Sequence, residues 1–385
     1  MPGARNAFPT LMALGHGGAM KTNLFAIKTL VAAVALLFVP LAAAAQDSDH
    51  EEDIAFVLDV LRNDYAGWDT KIQGREAEFE SQVALARQRI ADYPEARMWA
   101  LAALLEWFED NHLSIRSNIV SPDNPWPDDD DDGPARNYVP LPGNDFAFRR
   151  LSPQTVLLRV PHFDIGSMDV FESLLEEHHD TITTTPNLLI DLRGNTGGSD
   201  MMYSRLMSYL YTRPIYQIGV ELRDSERNLQ TLQDNVASGE YPESVHELVT
   251  YVIARAQASD SDYVPLSENG FEISTYPQVY PYPLRVGVLA EGAGSSGDQF
   301  AIDARASRKV TLLGGPTAGV IDYSNVITAP APSGDFALAW PMTRSMRLPE
   351  EPFDNVGVQP DVPFPEGGVE DEIAWAQAWL ERQAD

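Results

Sequence analysis

The 385-residue chain contains no cysteine. Disulfide staples, thiolate metal sites and a cysteine nucleophile are excluded together. Basic charge is scarce: 27 Lys and Arg stand against 57 Asp and Glu, a net charge of −30. Lysine is scarcest, and beyond residue 45 only Lys71 and Lys309 occur. Nucleic-acid binding rests on neutralising phosphates, so no nucleic-acid partner is expected. Adsorption to anionic lipid is disfavoured for the same reason. After residues 29–41 no segment is long and apolar enough to be expected to cross a bilayer. What is present suffices for a sizeable core, with 44% hydrophobic and 9% aromatic residues. The length suggests about two units.

The N-terminus reads as an export signal. Lys21 and Lys28 precede the apolar run 29–41, and Ala43-Ala44-Ala45 offers a small-residue cleavage site before Gln46. The pattern reads best from Met20. No cysteine follows the run, so a lipid anchor of the lipoprotein kind is not expected. Residues 1–45 carry three basic groups (Arg5, Lys21, Lys28) and no acid, so the remainder has 24 basic and 57 acidic groups, a net −33. A periplasmic or secreted protein, cleaved near Ala45 and without a stable membrane span, is expected.

Residues 46–116 read as a helical subdomain. Ile54, Val57, Leu58 and Leu61 keep one apolar face; Phe79, Val83 and Ile90 a second; Met98, Leu101, Leu105 and Phe108 a third. Residues 117–150 read as an acidic Pro- and Asp-rich linker. Its five consecutive aspartates lack the spacing of a calcium loop and read as solvated. From residue 151 to 385 strands alternate with helices, which argues an α/β fold. Strands are expected at 155–160, 187–191, 286–289 and 310–313, and helices at 201–211, 296–307 and 370–382. A hairpin is expected between 326–327 and 336–340. Residues 212–283 read as a more polar elaboration, with helical turns near 241–256.

Two strand–glycine turn–helix units carry the chemistry. In LLIDLRGNTGG (188–198) a strand ends at free backbone amides that face one way at the positive end of a helix dipole. Phosphate-loop and dinucleotide readings fail, because Gly-Lys-Ser/Thr and the GxGxxG spacing are missing. In VGVLAEGAGSSGDQFA (286–301) a strand delivers Ser295 and Ser296 to a helix start. A serine there is ordinarily a cap. The same sharp turn exposes a hydroxyl beside free amides, which suits a nucleophile.

These two segments, followed by TLLGGPTAG (311–319) and GVQPDV (357–362), resemble the tail-specific (carboxy-terminal processing) serine peptidases. The resemblance implies a ClpP/crotonase-like core of ββα units behind an N-terminal helical part. It implies Ser295 as nucleophile. The oxyanion donors would be the amide of Ser296 and one from the Gly197-Gly198 turn. Many members activate the serine with a lysine just after the Gly314–Gly319 stretch. Val320 stands there, and Lys309 lies 14 residues from Ser295, about 20 Å along a helix. The chain is therefore more similar to the branch of the tricorn core protease and the interphotoreceptor retinoid-binding protein repeats. That branch has an Asp-x-His ahead of its sheet, here Asp110-Asn111-His112, and a carboxylate before its Gly-Val-x-Pro-Asp stretch, here Asp354. His112 would be the base, favoured as imidazolium by the carbonyls ending the preceding helix, and Asp354 would orient it. Glu351, Asp298 and Asp361 are the competing carboxylates, the last two read as helix-start and turn residues. Among the other histidines, His162 reads as packing or capping, His178 and His179 as a solvated face, and His246 and His50 as members of polar segments. Residues 117–150 are too few for an inserted PDZ domain.

The expectation is an exported serine peptidase with a Ser295–His112–Asp354 triad, no metal, no cofactor, and a peptide or protein substrate. Two alternatives use the same scaffold: a non-catalytic binder of small apolar ligands, and a serine esterase.

Overall fold

The computed structural model describes residues 50–117, 145–239 and 243–383. The expected signal peptide (1–45) and most of the expected linker lie outside the described residues. Among the described residues no helix is long and apolar enough to cross a membrane. The fold is mixed α/β, as the alternation from residue 151 predicts.

The chain opens with helices α1 (50–63), α2 (Trp68–Ile72), α3 (Glu76–Asp92) and α4 (Arg97–Glu106). Their apolar faces, including Val57, Leu61, Phe79, Leu101 and Phe108, are buried. The strands are β1 (Ser114–Arg116), β2 (Ala147–Arg150), β3 (Thr155–Arg159), β4 (Asn187–Asp191), β5 (Ile215–Ile218), β6 (Val220–Arg223), β7 (Tyr263–Pro265), β8 (Phe271–Ser274), β9 (Arg285–Leu289), β10 (Val310–Gly314), β11 (Tyr323–Pro330), β12 (Ala337–Ser345) and β13 (Val362–Pro363). The later helices are α5 (Met168–Glu177), α6 (His179–Ile182), α7 (Ser204–Leu210), α8 (Glu226–Ser238), α9 (Glu243–Gln257), α10 (Ser296–Arg305) and α11 (Glu372–Arg382).

Six strands form one sheet in the order β13-β10-β9-β4-β3-β2. All its pairs are parallel except β2–β3. β4 is buried along its whole length, as a central strand covered on both faces must be. The ends of β4 and β9 therefore lie side by side, and the turns after them meet. A second, antiparallel sheet runs β1-β12-β6-β7, with β11 on the other side of β12. Here the expected short hairpin extends to 323–330 against 337–345, because β12 is also held by β1 and β6. β5 and β8 pair separately.

The N-terminal helices, taken apart from the core in the sequence, share one hydrophobic cluster with β12, β6, α8 and α9. Trp340, fully buried at its centre, donates its indole N–H to Asn228 Oδ1 at 3.1 Å. The 212–283 region is thus more regular than its polarity suggests: four strands and two helices. The expected helix 201–211 begins as a 3₁₀ turn over Asp200–Tyr203, started by Ser199, whose hydroxyl accepts the Met201 N–H.

Candidate active site

The turn from β9 to α10 carries Ser295. Its backbone adopts φ 57°, ψ −118°, a conformation that a non-glycine residue holds at a cost of about 1–3 kcal/mol. The surroundings enforce it. The Asp298 carboxylate, fully buried one turn into α10, accepts the Ser295 N–H at 2.9 Å. It also accepts the N–H of Gly319 (2.9 Å) and of Val320 (3.0 Å). One side chain thus fixes the elbow and ties it to the 319–320 loop, the helix-start role expected of Asp298. Burial raises its pKa, against these donated hydrogen bonds.

His112 comes from the loop between α4 and β1. Its Nε2 lies 3.2 Å from Ser295 Oγ, and its Nδ1 lies 2.6 Å from the backbone carbonyl oxygen of Tyr323. A carbonyl can only accept, so Nδ1 carries the proton and Nε2 is left to accept from the serine hydroxyl. The two residues are 183 apart in sequence, and the fold brings them together. The shift of His112 runs opposite to the expected preference for imidazolium. Burial, the largest influence, lowers its pKa below the ordinary histidine value, against the opposing pull of the Tyr323 carbonyl and the Asp354 and Asp298 carboxylates. A neutral imidazole is the form that can take a proton.

Asp354 is brought close but not into a hydrogen bond with the imidazole. Its Oδ1 accepts the N–H of Ile321 and of Asp322, both at 2.8 Å, just before Tyr323. It therefore braces the segment whose carbonyl holds His112, and it acts on His112 through charge. Burial and then the neighbouring Asp110 push its carboxyl up to about 7. Asp322 lies behind it, accepting the N–H of Phe353 and Asp354 at 2.8 Å each.

The Gly197-Gly198 turn reaches the serine from the other side. A Cβ on Gly197 would stand 2.7 Å from both Gly294 O and Ser295 Cβ, so only glycine fits there. The Gly197 N–H is occupied by Asn195 Oδ1 at 2.8 Å. Phe163 exchanges hydrogen bonds with Gly197 O and Ser199 N–H, which turns the Gly198 N–H away from it. The Ser296 N–H is the first of α10, where no helical acceptor exists. Among the described residues, the Gly198 and Ser296 amides take no acceptor. They are the two donors open beside Ser295.

The rival histidines lie elsewhere. His162 Nδ1 accepts the Asp164 N–H at 3.3 Å, His178 stacks on Phe148 at 4.0 Å, and His179 pairs with the Tyr209 hydroxyl at 3.1 Å. His50 begins α1, and His246 sits on α9. Lys309 Nζ donates to the Tyr280 carbonyl at 2.7 Å, and Lys71 Nζ to that of Glu109 at 3.3 Å. Asp361 Oδ2 accepts the Leu312 N–H at 2.8 Å, tying the segment before β13 to β10 rather than closing a local turn. Among the described residues no group of three or more His, Asp or Glu is gathered as a metal site. Two surface depressions, one beside Arg193 and residues 370–373 and one beside Phe146 and α5, include neither Ser295 nor His112. Three supports were not identified as such in the sequence. Asn195 carries a signal, an Asn two residues ahead of a glycine in a turn. Asp110 carries another, its place in Asp-x-His. The Tyr323 carbonyl carries none, since any residue has one.

A serine on a strained strand-to-helix elbow, hydrogen-bonded to a neutral histidine beside two open amides, has the make-up of a serine-type acyl-transfer site. Residues 154–364 match the family model of peptidase family S41. That is more than half of the chain, which therefore belongs to this family of serine-type peptidases. No curated protein sequence matches it. The fold is similar to that of mature CPAF, with a TM-score of 0.62 at 13% identity over 88% of this chain and 96% of that one. Mature CPAF complexed with lactacystin gives the same score and identity, over 88% and 98%. The photosystem II D1 C-terminal processing protease gives a TM-score of 0.35 at 15% identity, over 59% and 46%. At 13% identity the two CPAF structures speak for the fold alone.

Proposed function

We propose that the protein is an exported serine peptidase that cleaves peptide bonds through an acyl-enzyme, with Ser295 as nucleophile and His112 as base. The observation that carries this reading is the 3.2 Å contact between His112 Nε2 and Ser295 Oγ, with Nδ1–H donated to the Tyr323 carbonyl. Ser295 Oγ attacks the scissile carbonyl carbon while its proton passes to His112 Nε2. The N–H groups of Ser296 and Gly198 receive the negative oxygen, worth about 3–4 kcal/mol for each such donor. The imidazolium then protonates the leaving amine, and water repeats the sequence in reverse to free Ser295. Asp354 is the third member, stabilising the imidazolium through charge and through the Tyr323 segment. Gly197 shapes the turn. The reaction as written requires no metal or cofactor.

The Lys-free arrangement around Val320 and the Asp-x-His sequence favour placement in the tricorn-like branch. The export signal over 1–45 and the net −33 beyond it support a periplasmic or secreted location. The test is hydrolysis of fluorescein-labelled casein by the wild type, Ser295→Ala and His112→Ala. Wild-type turnover lost in both folded variants is expected. Turnover of 4-nitrophenyl acetate with casein untouched would favour an esterase. No turnover of either by folded wild type would favour a binding protein.

A further inference from the structure

We propose that Asp110 is a positioning residue for His112, and that residues 65–70, which precede every strand, hold this base from both its ends. The inference rests on the reading of His112 as base.

Asp110 is buried, and its two oxygens are divided between two tasks. Oδ1 accepts the backbone N–H of His112 at 2.9 Å. Oδ2 accepts the hydroxyl of Tyr65 at 2.8 Å, 45 residues away. The first bond alone would be an ordinary Asx-turn. The second makes it a strut, because Tyr65 is itself fully buried, edge-on to Phe108 at 5.5 Å and beside Tyr323 at 5.9 Å. Five residues on, Thr70 Oγ1 pairs with the Tyr323 hydroxyl at 2.6 Å. Tyr323 is the residue whose carbonyl fixes the imidazole. One short segment therefore holds the backbone of His112 through Asp110 and its ring through Tyr323.

The strut depends on room for Tyr65. A Cβ on Gly67 would stand 2.2 Å from the Tyr65 hydroxyl oxygen and 2.3 Å from the carbon that bears it. The Gly67 backbone, at φ −85°, is one that alanine adopts freely, so Gly67→Ala acts through that collision alone. A fully buried ring cannot swing aside without displacing its neighbours.

Asp110 works by hydrogen bonding and Asp354 by charge. The groups that act on Asp110 are Tyr65, Lys71, Asp322 and the His112 N–H, and burial pushes its carboxyl up to about 6. The charged groups that act on His112 are Asp354, Asp298 and Arg116. An amide at position 110 keeps an acceptor for the His112 N–H, so asparagine rescues what alanine loses.

The experiment measures kcat and KM for 4-nitrophenyl acetate, and hydrolysis of fluorescein-casein, across pH, with circular dichroism as the folding control. The proteins are the full chain as wild type, Asp110→Asn, Asp110→Ala, Gly67→Ala and Ser295→Ala. Asp110→Ala is expected to lower kcat about 100-fold with KM within about threefold, the scale of a base displaced by about 1 Å. Asp110→Asn is expected to stay within about tenfold of wild type in kcat on the alkaline plateau, with the pH midpoint moved down because the Asp110 charge that helps raise Asp354 is gone, and Gly67→Ala to lose at least about tenfold in kcat. Folded Asp110→Ala with kcat within threefold of wild type would overturn the proposal. So would Asp110→Asn as slow as Asp110→Ala, which would make charge the agent. If Asp110→Ala does not fold, Gly67→Ala decides: folded and slow supports the strut, folded and fast rejects it. Activity retained in Ser295→Ala would bring down the reading of the site, and this inference with it. Activity lost there but kept in Asp110→Ala rejects this inference alone.

Discussion

The ring of His112 donates its Nδ1–H to the backbone carbonyl of Tyr323, 2.6 Å away, and no carboxylate takes that place. A neutral carbonyl fixes the tautomer and the orientation but offers no counter-charge when the imidazole is protonated. In the proposed mechanism the counter-charge falls to Asp354, which acts on the ring through charge without a hydrogen bond to it. Asp354→Asn should therefore lower kcat by about 10–100-fold, with KM within about threefold, a milder loss than removal of a directly bonded carboxylate. Steady-state kinetics checks this, and a wild-type kcat would move the third role elsewhere.

The pH dependence follows from two groups. His112 must be neutral, and its pKa lies below the ordinary value. Asp354 must be ionised, and its carboxyl sits at about 7. The last group to lose its proton sets the profile, so kcat/KM should rise with a midpoint near 7. In Asp354→Asn that ionisation is gone and His112 has lost an anionic neighbour, so the midpoint should fall below the ordinary histidine value. A midpoint that stays near 7 in the variant would assign it to another group.

Asn195 supports the turn proposed to supply an oxyanion donor. Its side chain donates to Val160 O at 2.9 Å and accepts from Gly197 N–H at 2.8 Å, while its carbonyl accepts the Gly294 N–H at 2.9 Å. It thus links the Gly197-Gly198 turn to the loop that bears Ser295. Asn195→Ala should cost about 10–100-fold in kcat, less than deleting a donor outright. Comparable loss in KM instead would mean that the turn binds substrate rather than the transition state.

Neither lysine beyond residue 45 is placed to activate the serine, since Lys71 and Lys309 are engaged by the carbonyls of Glu109 and Tyr280. Lys309→Met should keep kcat within about threefold of wild type, the effect of a partly exposed group far from the chemistry. A loss of 100-fold or more in a folded variant would reinstate a serine–lysine pair.

Stability should fall as pH rises. Burial raises the carboxyls of Asp303 and Asp110 to about 6 and that of Asp354 to about 7, from 3.8. The native state therefore holds protons that the unfolded chain releases. This contribution is complete below about pH 4 and is lost as pH rises through 6 to 7. His112, shifted down, works in the opposite sense over the same window but is a single group. Thermal melts should give a higher Tm at pH 5.5 than at pH 8, by about 3 °C or more. Asp303→Asn should narrow the gap. A higher Tm at pH 8 would show that these carboxyls are ionised in the native state throughout.

Sequence reasoning went furthest where a residue's type is its signal. Ser295 stands at a strand-to-helix turn, His112 in Asp-x-His, and Gly197 in a Gly-Gly turn after a strand. The parallel strands 155–159, 187–191, 285–289 and 310–314 were legible because buried strands read as short apolar runs. Three features were out of reach for physical reasons. The Tyr323 carbonyl is a backbone atom and leaves no mark in the sequence. Burial lowers the pKa of His112, and burial by distant segments leaves no mark at its position in the sequence. The strut from Tyr65 to Asp110 spans 45 residues, and nothing local announces it. The 212–283 region was illegible for another reason: its strands β6 and β7 are short, and it is the pairing of β6 with the distant β12 that brings both into a sheet.

The central claim is that Ser295 is activated by His112. The most direct test is labelling of the folded protein with a fluorophosphonate, with the adduct located by peptide mass spectrometry in wild type, Ser295→Ala and His112→Ala. The account predicts a single adduct on Ser295 in wild type and none in either variant. An adduct on another residue, or labelling of His112→Ala at the wild-type rate, would contradict it.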